Sequence, residues 1–373
     1  MAVVLTNSIV SASCIVRRLG LLGWVKFNKG KPLDAAWIGN DRDGEGWMFL
    51  HLHVVKVLFL FVSGGDYVKF AIIGTGVVGT ALAVSLERAG HSCVGVNTRS
   101  GVSYQSFSRY LDVPHLSLGD LIPQADLLFI TTHDGEIRSV AEHLAAQTLQ
   151  RDGQVWIHCS GAHPSGILRV EGVPISCLSI HPLQSFADVD RAVELLGKSH
   201  FSVEGDRPEL GMALVKDLGG IPHWIPTANK VLYHAGAVMA SNYVVVLASL
   251  ATKFFELAGF ERTQALDALL PLMEGALKNL SQLGLPQALT GPLARGDVDV
   301  VRSHLEQMPA SLACAYSALA PEALNLAIQK WAENGKEYPA GIYADMSLLF
   351  GRGSESNPEP EAGKAMPKPE QVA

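Results

Sequence analysis

The sequence predicts an α/β protein in which a doubly wound parallel sheet is followed by an all-helical domain. Three observations predict it. The apolar run Val68-Lys69-Phe70-Ala71-Ile72-Ile73 ends in Gly74-Thr75-Gly76-Val77-Val78-Gly79 and opens into a segment whose Leu82 and Leu86 have helical spacing. Apolar, strand-like runs then alternate with helical patterns, as an open parallel sheet requires. Past Thr227 the strand signals stop, and long apolar stretches without strand punctuation take over.

A buried strand that ends in G-x-G-x-x-G and opens a helix is the fingerprint of a dinucleotide site. Gly74 permits the tight turn, Gly76 lets the backbone approach a pyrophosphate, and Gly79 lets the helix pack closely on the strand. The residues Gly74, Thr75, Gly76, Val77, Val78 and Gly79 are therefore expected to bind the cofactor, with the helix N-terminus offering free N–H groups to its phosphates. Ser92 to Val96 reads as the second strand. Where an NAD-selective site places an acid for the ribose 2′-hydroxyl, this chain has Asn97-Thr98-Arg99-Ser100. Donors without a carboxylate suit a 2′-phosphate, so NADP (NADPH) is expected over NAD, and FAD or S-adenosylmethionine is disfavoured.

The remaining elements follow in order. Ser103 to Leu111 is a short helix, Asp126 to Thr131 a buried strand and Gly135 to Ala146 a helix. Gln154 to His158 and Ile175 to Ile180 are strands. Ser199 to Val203 and Pro222 to Ile225 add two more around a helix from Pro208 to Leu218. Helices are then expected over Asn229 to Ala258, Arg262 to Leu283, Asp297 to Met308 and Pro321 to Asn334. The domains are expected at residues 68–226 (cofactor-binding) and 227–350 (helical, for substrate and dimerisation), with 351–373 a disordered tail rich in Pro, Glu and Ser. Residues 1–67 show no sustained periodicity. We expect them to be an over-long gene reading with the natural chain starting at Val68, because Gly64-Gly65-Asp66 would be encoded by codons that resemble a ribosome-binding site.

Composition bounds the class. A chain of 373 residues allows about two domains. Hydrophobic residues at 48% and charged residues at 17% describe a soluble globular protein. A net charge of −7 and no Lys/Arg block argue against nucleic-acid and membrane partners. The five cysteines include no C-x-x-C pair, which fits free thiols in a reducing cytoplasm.

Candidate chemistry sits at the expected strand ends. Thr131 and Thr132 are expected at the cofactor, and Asp134 at the N-cap of the next helix. His158, Ser160 and His181 lie at the mouths of successive strands, either as structural groups or as parts of a site. Alternation turns Cys159 to the opposite face, as a buried filler. A zinc site from His158, His163 and His181 matches no common ligand spacing, so no metal is expected. In the helical region, His234 and Ser241 share a face beside Asn242, either bonded to neighbouring helices or lining a cleft. Arg295 is a candidate clamp for a substrate carboxylate or one half of a structural Arg–Asp turn with Asp297.

Taken in order, the glycine fingerprint, His158-Cys159-Ser160-Gly161, His181-Pro182-Leu183-Gln184-Ser185-Phe186, Tyr233-His234-Ala235, Ala240-Ser241-Asn242-Tyr243 and Leu289-Thr290-Gly291-Pro292-x-x-Arg295-Gly296-Asp297 resemble the bacterial Rossmann-like oxidoreductases with a C-terminal domain of unknown function 2520. The resemblance covers Val68 to about Asn334. It implies a Rossmann domain joined to a helical domain like that of 6-phosphogluconate dehydrogenase, with pyrroline-5-carboxylate reductase and ketopantoate reductase as more distant relatives. It also implies a homodimer through the helical domains. The lysine–asparagine pair of ketopantoate reductase has no counterpart at its spacing here. The function expected is NADP(H)-dependent hydride transfer to or from a small polar, anionic carbonyl or imine compound, with a non-catalytic NADPH sensor as the alternative. The expected catalytic set is His234 as proton donor, Asn242 and Ser160 orienting the substrate, His158 or His181 completing the cleft, and Arg295 holding a carboxylate.

Overall fold

The computed structural model describes residues 67–351 and, between residues 11 and 50, the backbone of five short strands paired antiparallel. The expected late start at Val68 and the expected tail past Gly351 concern residues outside those described. The described chain divides into two compact units between Val238 and Met239.

The first unit is a seven-stranded sheet. Its strands are β1 (Lys69–Ile73), β2 (Ser92–Asn97), β3 (Leu127–Ile130), β4 (Val155–His158), β5 (Ser176–Pro182), β6 (His200–Gly205) and β7 (Ile221–Trp224). They lie in the order β2-β1-β3-β4-β5-β6-β7. The first five run parallel, while β6 pairs antiparallel with β5 and carries β7 parallel to itself. Helices α1 (Val77–Arg88), α2 (Gly101–Phe107), α3 (Ile137–Ala146), α4 (Val189–Leu196) and α5 (Pro208–Asp217) complete the expected α/β pattern. Helix α4 was not foreseen; its N-cap Asp188 accepts from the Arg191 N–H at 2.8 Å.

Strand alternation builds two cores, one on each sheet face. Phe70 and Ile72 join Leu82 and Leu86 of α1 and Leu214 and Val215 of α5. Ala71 and Ile73 join Trp156 and the Ile137, Ala141 and Leu144 stripe of α3. Phe70 and Phe129 meet edge to face, with centroids 6.1 Å apart. Each strand between β1 and β4 is thus apolar almost throughout, because both of its faces are covered.

Helix α6 (Lys230–Ala240) follows β7, and its first two turns belong to the α/β unit. The unit boundary therefore lies beyond the expected residue 226, because Lys230 and Tyr233 bond to strand β5. The apolar stretch expected as one helix is broken at Ser241. By length and composition alone, Thr227–Leu257, with hydropathy 1.5, passes the test for a membrane-crossing segment, and 6% of its most apolar window is buried.

The second unit comprises α7 (Asn242–Leu257), α8 (Arg262–Leu283), α9 (Val298–Gln307), α10 (Ala310–Glu333) and α11 (Ala340–Leu349). Helix α8 has the expected bounds. Helix α10 starts well before the expected Pro321, which lies inside it, and α11 was not foreseen. Val301, Leu324 and Met346 form this unit's buried cluster, with Tyr316, Tyr338 and Ile342 packed on it.

Candidate active site

Strand order reverses direction between β1 and β3, since β2 lies on one side of β1 and β3 on the other. Such a switch point leaves a crevice at the carboxyl ends of the two strands. A cleft of about 960 Å³ lies there, lined by the β1–α1 turn, residues 97–100, Thr131 to Asp134, and Cys159 and Ser160. Of the residues expected at the cofactor, all but Gly79 line it.

The three glycines divide their labour. At Gly74, with φ +103°, an added Cβ would meet the backbone of Thr131 and Thr132 at 2.8–2.9 Å. At Gly79 it would fall on the Gly74 carbonyl and Thr131 Oγ1, so this glycine serves the packing of α1 behind the turn. At Gly76 nothing lies within 4 Å, and a side chain there would project into the open cleft. Helix α1 begins at Val77 with no side-chain cap and no acid in its first turn. That end keeps unpaired N–H groups and a positive dipole end, the chemistry a pyrophosphate needs. Thr75 Oγ1 and Thr132 Oγ1 are buried without a hydrogen-bond partner, as hydroxyls meant for a ligand would be. The donor set fits a dinucleotide.

At the far end of the cleft, the Asn97 amide donates to the Leu116 carbonyl at 2.7 Å, and the Thr98 N–H to His115 Nε2 at 3.2 Å. Ser100 caps α2 by accepting from the Ser103 N–H at 3.3 Å. Arg99 is 80% exposed and reaches Glu136 at 3.2 Å. Glu136 with Ser139, Val140 and His143 forms one face of α3 and its leading turn along the cleft, which the sequence reading did not foresee.

The strand-end histidines have distinct jobs. His158 has no exposed surface; its Nδ1 accepts from the Ser160 N–H at 3.1 Å and its Nε2 donates to the Pro164 carbonyl at 3.2 Å. Both nitrogens are committed to backbone, and burial first, then the charge on Lys230, lowers its pKa to about 3. The catalytic expectation for His158 is thereby corrected: it is a neutral prop under the loop. Ser160 donates to Asp134 at 2.9 Å and accepts from the Ala162 and His163 N–H groups at 3.2 Å each. The Asp134 carboxylate accepts that hydroxyl and does not cap the helix. Cys159 lines the cleft beside Ser160 and is only partly buried, which corrects its expected place on the opposite face; burial raises its thiol to about 12.

Two side chains meet on Gly161. A Cβ there would come within 2.5 Å of His234 Nδ1 and 2.8 Å of His181 Nε2, so only glycine lets both imidazoles approach. His181 Nδ1 contacts the Tyr233 hydroxyl at 2.9 Å, and its ring lies 6.1 Å from that of His234. Burial, then Lys230 and His234, lowers His181 to about 4. His234 Nδ1 is buried without a partner. Beneath them Lys230 has no exposed surface and donates to Ser179 Oγ at 2.6 Å. Lys230 was passed over in the sequence, although its spacing to Tyr233 and His234 puts all three on one helix face.

Asn242 and Arg295 belong to the second unit. Asn242 is exposed at the start of α7 and accepts from the Ser241 hydroxyl at 3.1 Å. Arg295 pairs with Asp297 at 2.7–2.8 Å, as the expected Arg–Asp turn would have it, while its side chain stays 63% exposed. The glycine-punctuated loop before it is pinned by Lys330, which donates to the Gln287 and Leu289 carbonyls at 2.9 and 2.7 Å, and by Trp331 Nε1 on the Ala294 carbonyl at 2.9 Å. Among the described residues no group of three or more His, Cys, Asp or Glu is placed to hold a metal ion.

Comparison with known proteins also finds two parts, with a boundary earlier than that of the compact units. A Rossmann-like domain model matches residues 65–182, and a model described as a domain of unknown function (DUF2520) matches residues 199–323. The sequence matches none of the curated proteins with which it was compared. Among solved structures, a Bacteroides fragilis protein designated an NADP oxidoreductase is 21% identical, with a TM-score of 0.55 over 69% of this chain and 98% of its own. A Thermotoga maritima protein is 26% identical, with a TM-score of 0.54 over 70% and 99%. A semialdehyde dehydrogenase NAD-binding protein of Cupriavidus necator, solved with calcium and NAD, is 17% identical, with a TM-score of 0.51 over 71% and 99%. These likenesses establish a shared fold.

Proposed function

We propose, for a chain that matches a Rossmann-like domain model and then a domain of unknown function (DUF2520) model, an NADP(H)-dependent oxidoreductase acting on a small polar carbonyl or imine compound. The observation that carries this reading is the adjacency of two features at one strand end. Ser160 lines the cleft that begins at the glycine turn, and the next residue, Gly161, is the floor on which His181 and His234 converge.

When bound, a reduced nicotinamide would supply the hydride, and the chain's residues supply placement and the proton. The free N–H groups at the start of α1 hold the pyrophosphate. Arg99 and Ser100 take the 2′-phosphate, with Arg99 leaving Glu136 to do so, and Thr75 and Thr132 offer hydroxyls to the middle of the dinucleotide. His234 is the proton donor, its free Nδ1 facing Gly161. Ser160, fixed by Asp134, keeps the floor in place. The similarity to a protein designated an NADP oxidoreductase and to one complexed with NAD fits a nicotinamide cofactor. The free thiols and the net charge of −7 fit a cytoplasmic enzyme without nucleic-acid or membrane partners.

We also propose a homodimer through the helical unit, because α7 and α8 expose Val245 (71%), Leu272 (68%) and Leu277 (57%). The enzymatic reading is tested by NADPH oxidation over keto acids, semialdehydes and imines. His234→Ala should lower kcat about 100-fold or more while leaving coenzyme affinity within a few-fold. A protein that binds NADPH but turns over nothing in that screen is a sensor, and the enzymatic reading fails.

A further inference from the structure

Lys230 is an ammonium group with no exposed surface, anchored to Ser179 Oγ at 2.6 Å and lying 6.0 Å from the Tyr233 ring centroid. The equally buried Glu204, paired across from Ser179, is the carboxylate whose charge favours it most, yet Glu204 gives its hydrogen-bond capacity to other groups. That carboxylate already accepts from the Ser165 N–H at 2.5 Å, Ser165 Oγ at 2.9 Å and Thr227 Oγ1 at 2.8 Å. A buried charge without a tight counter-ion is costly, so its retention wants a purpose.

We infer that the substrate is a carbonyl compound and not a protonated imine, because the buried Lys230 ammonium is anchored on Ser179, two residues before His181 on the same strand face, and sets a positive potential beneath the imidazole that meets Gly161. The inference rests on the oxidoreductase reading and divides the two substrate classes which that reading leaves together. In carbonyl reduction the carbon gains a hydride from a reduced nicotinamide dinucleotide, which leaves oxidised. The C=O π pair moves to oxygen, which takes a proton. Negative charge grows on that oxygen, and a fixed positive potential stabilises it. An imine is reduced as its iminium, which brings positive charge into the site before it reacts, and the same potential opposes its entry.

The groups around His181 decide the sign. From α6 come Lys230, Tyr233 and His234; from β4 comes His158; from the turn after β3 comes Asp134. Only Asp134 favours a cation there. Its carboxylate is exposed and accepts from Ser160, and burial with Lys230 and His234 outweighs it. Lys230 itself is lowered by burial to about 8 and so still carries its proton at neutral pH. Burial raises the Tyr233 phenol, which keeps its proton and lies 2.9 Å from His181 Nδ1. We assign the tautomer in which Nδ1 accepts from that phenol, so that the imidazole hydrogen sits on Nε2, the nitrogen beside Gly161. A neutral imidazole placed in this way can polarise a carbonyl. Lys230 acts through His181 and is a positioning residue.

Two measurements test this. Side-chain ¹⁵N NMR of His181 in coenzyme-free protein should show a neutral ring from pH 7 to about 5, and in Lys230→Met a titration raised by about one pH unit or more. A wild-type His181 that titrates near the ordinary 6.5, or one indifferent to Lys230→Met, overturns the inference. The wild-type titration decides even if the variant does not fold. In the second measurement, NADPH oxidation with paired keto acids and cyclic imines of the same carbon skeleton should favour the keto acid at least about tenfold in kcat/KM, and Lys230→Met should narrow that ratio. Turnover confined to the imines overturns the inference. A protein that binds no coenzyme in calorimetry instead brings down the oxidoreductase reading and this inference with it, an outcome distinct from either.

Discussion

Gly76 and Gly79 belong to one turn and are held there for different reasons. A methyl group at Gly79 would strike the Gly74 carbonyl and Thr131 Oγ1, whereas at Gly76 it would meet nothing within 4 Å. Gly79→Ala should therefore cost about 1–3 kcal/mol of stability, read as a lower urea midpoint. Gly76→Ala should leave that midpoint alone and weaken coenzyme binding about tenfold or more. If both variants lose stability equally, the open space at Gly76 is not a ligand's. The glycines were legible in the sequence because their spacing is itself a statement about backbone geometry. His158 and Arg295 were not: their roles depend on which partner claims the side chain, and in each case a backbone group or a neighbouring carboxylate does. Lys230 was missed for the opposite reason, since a lysine on a helix reads as surface until a strand is packed over it.

At the level of elements, helix α8 was readable to its end residues, and strands β1 to β5 were found to within a few residues. Both-face burial makes those strands continuous apolar runs, and little else in the sequence looks like that. The antiparallel turn of β6 was not legible, because strand direction is set by the connection and leaves no mark on the strand itself. Pro321 misled in a specific way: proline signals a helix start, yet here it lies within α10. The apolar faces of α7 and α8 make a prediction of their own. Exposed Val245, Leu272 and Leu277 should be covered by a second copy, so light scattering should give about twice the 39.9 kDa chain mass. Replacing Val245 and Leu272 with Glu should give a monomer whose NADPH affinity is kept. A wild-type monomer at micromolar concentration contradicts the dimer.

For the whole molecule, the buried imidazoles tie stability to pH. His158 and His181 hold folded-state values of about 3 and 4 against an ordinary 6.5. The unfolded chain thus takes up protons that the folded one refuses. Their contribution is complete above pH 6.5 and drains as pH falls toward 4, by on the order of 1 kcal/mol per pH unit for each histidine. The urea midpoint should fall steeply between pH 6.5 and 4.5, and His158→Gln should flatten that slope. An unchanged slope would mean that His158 is not held neutral. Legibility at this scale was uneven. The succession of an α/β unit and a helical one was plain from the change in pattern near Thr227. The unit boundary was not, because Lys230, Tyr233 and His234 look like the start of the helical unit and pack onto the sheet.

The account depends most on a nicotinamide dinucleotide seated at the glycine turn between β1 and β3. Calorimetric titration of the full chain with NADPH and NADH, repeated on Arg99→Ala, tests it most directly. The structure predicts saturable NADPH binding that Arg99→Ala weakens by about 1–2 kcal/mol while NADH binding barely changes. A folded protein that gives no heat of binding with either coenzyme, reduced or oxidised, contradicts it.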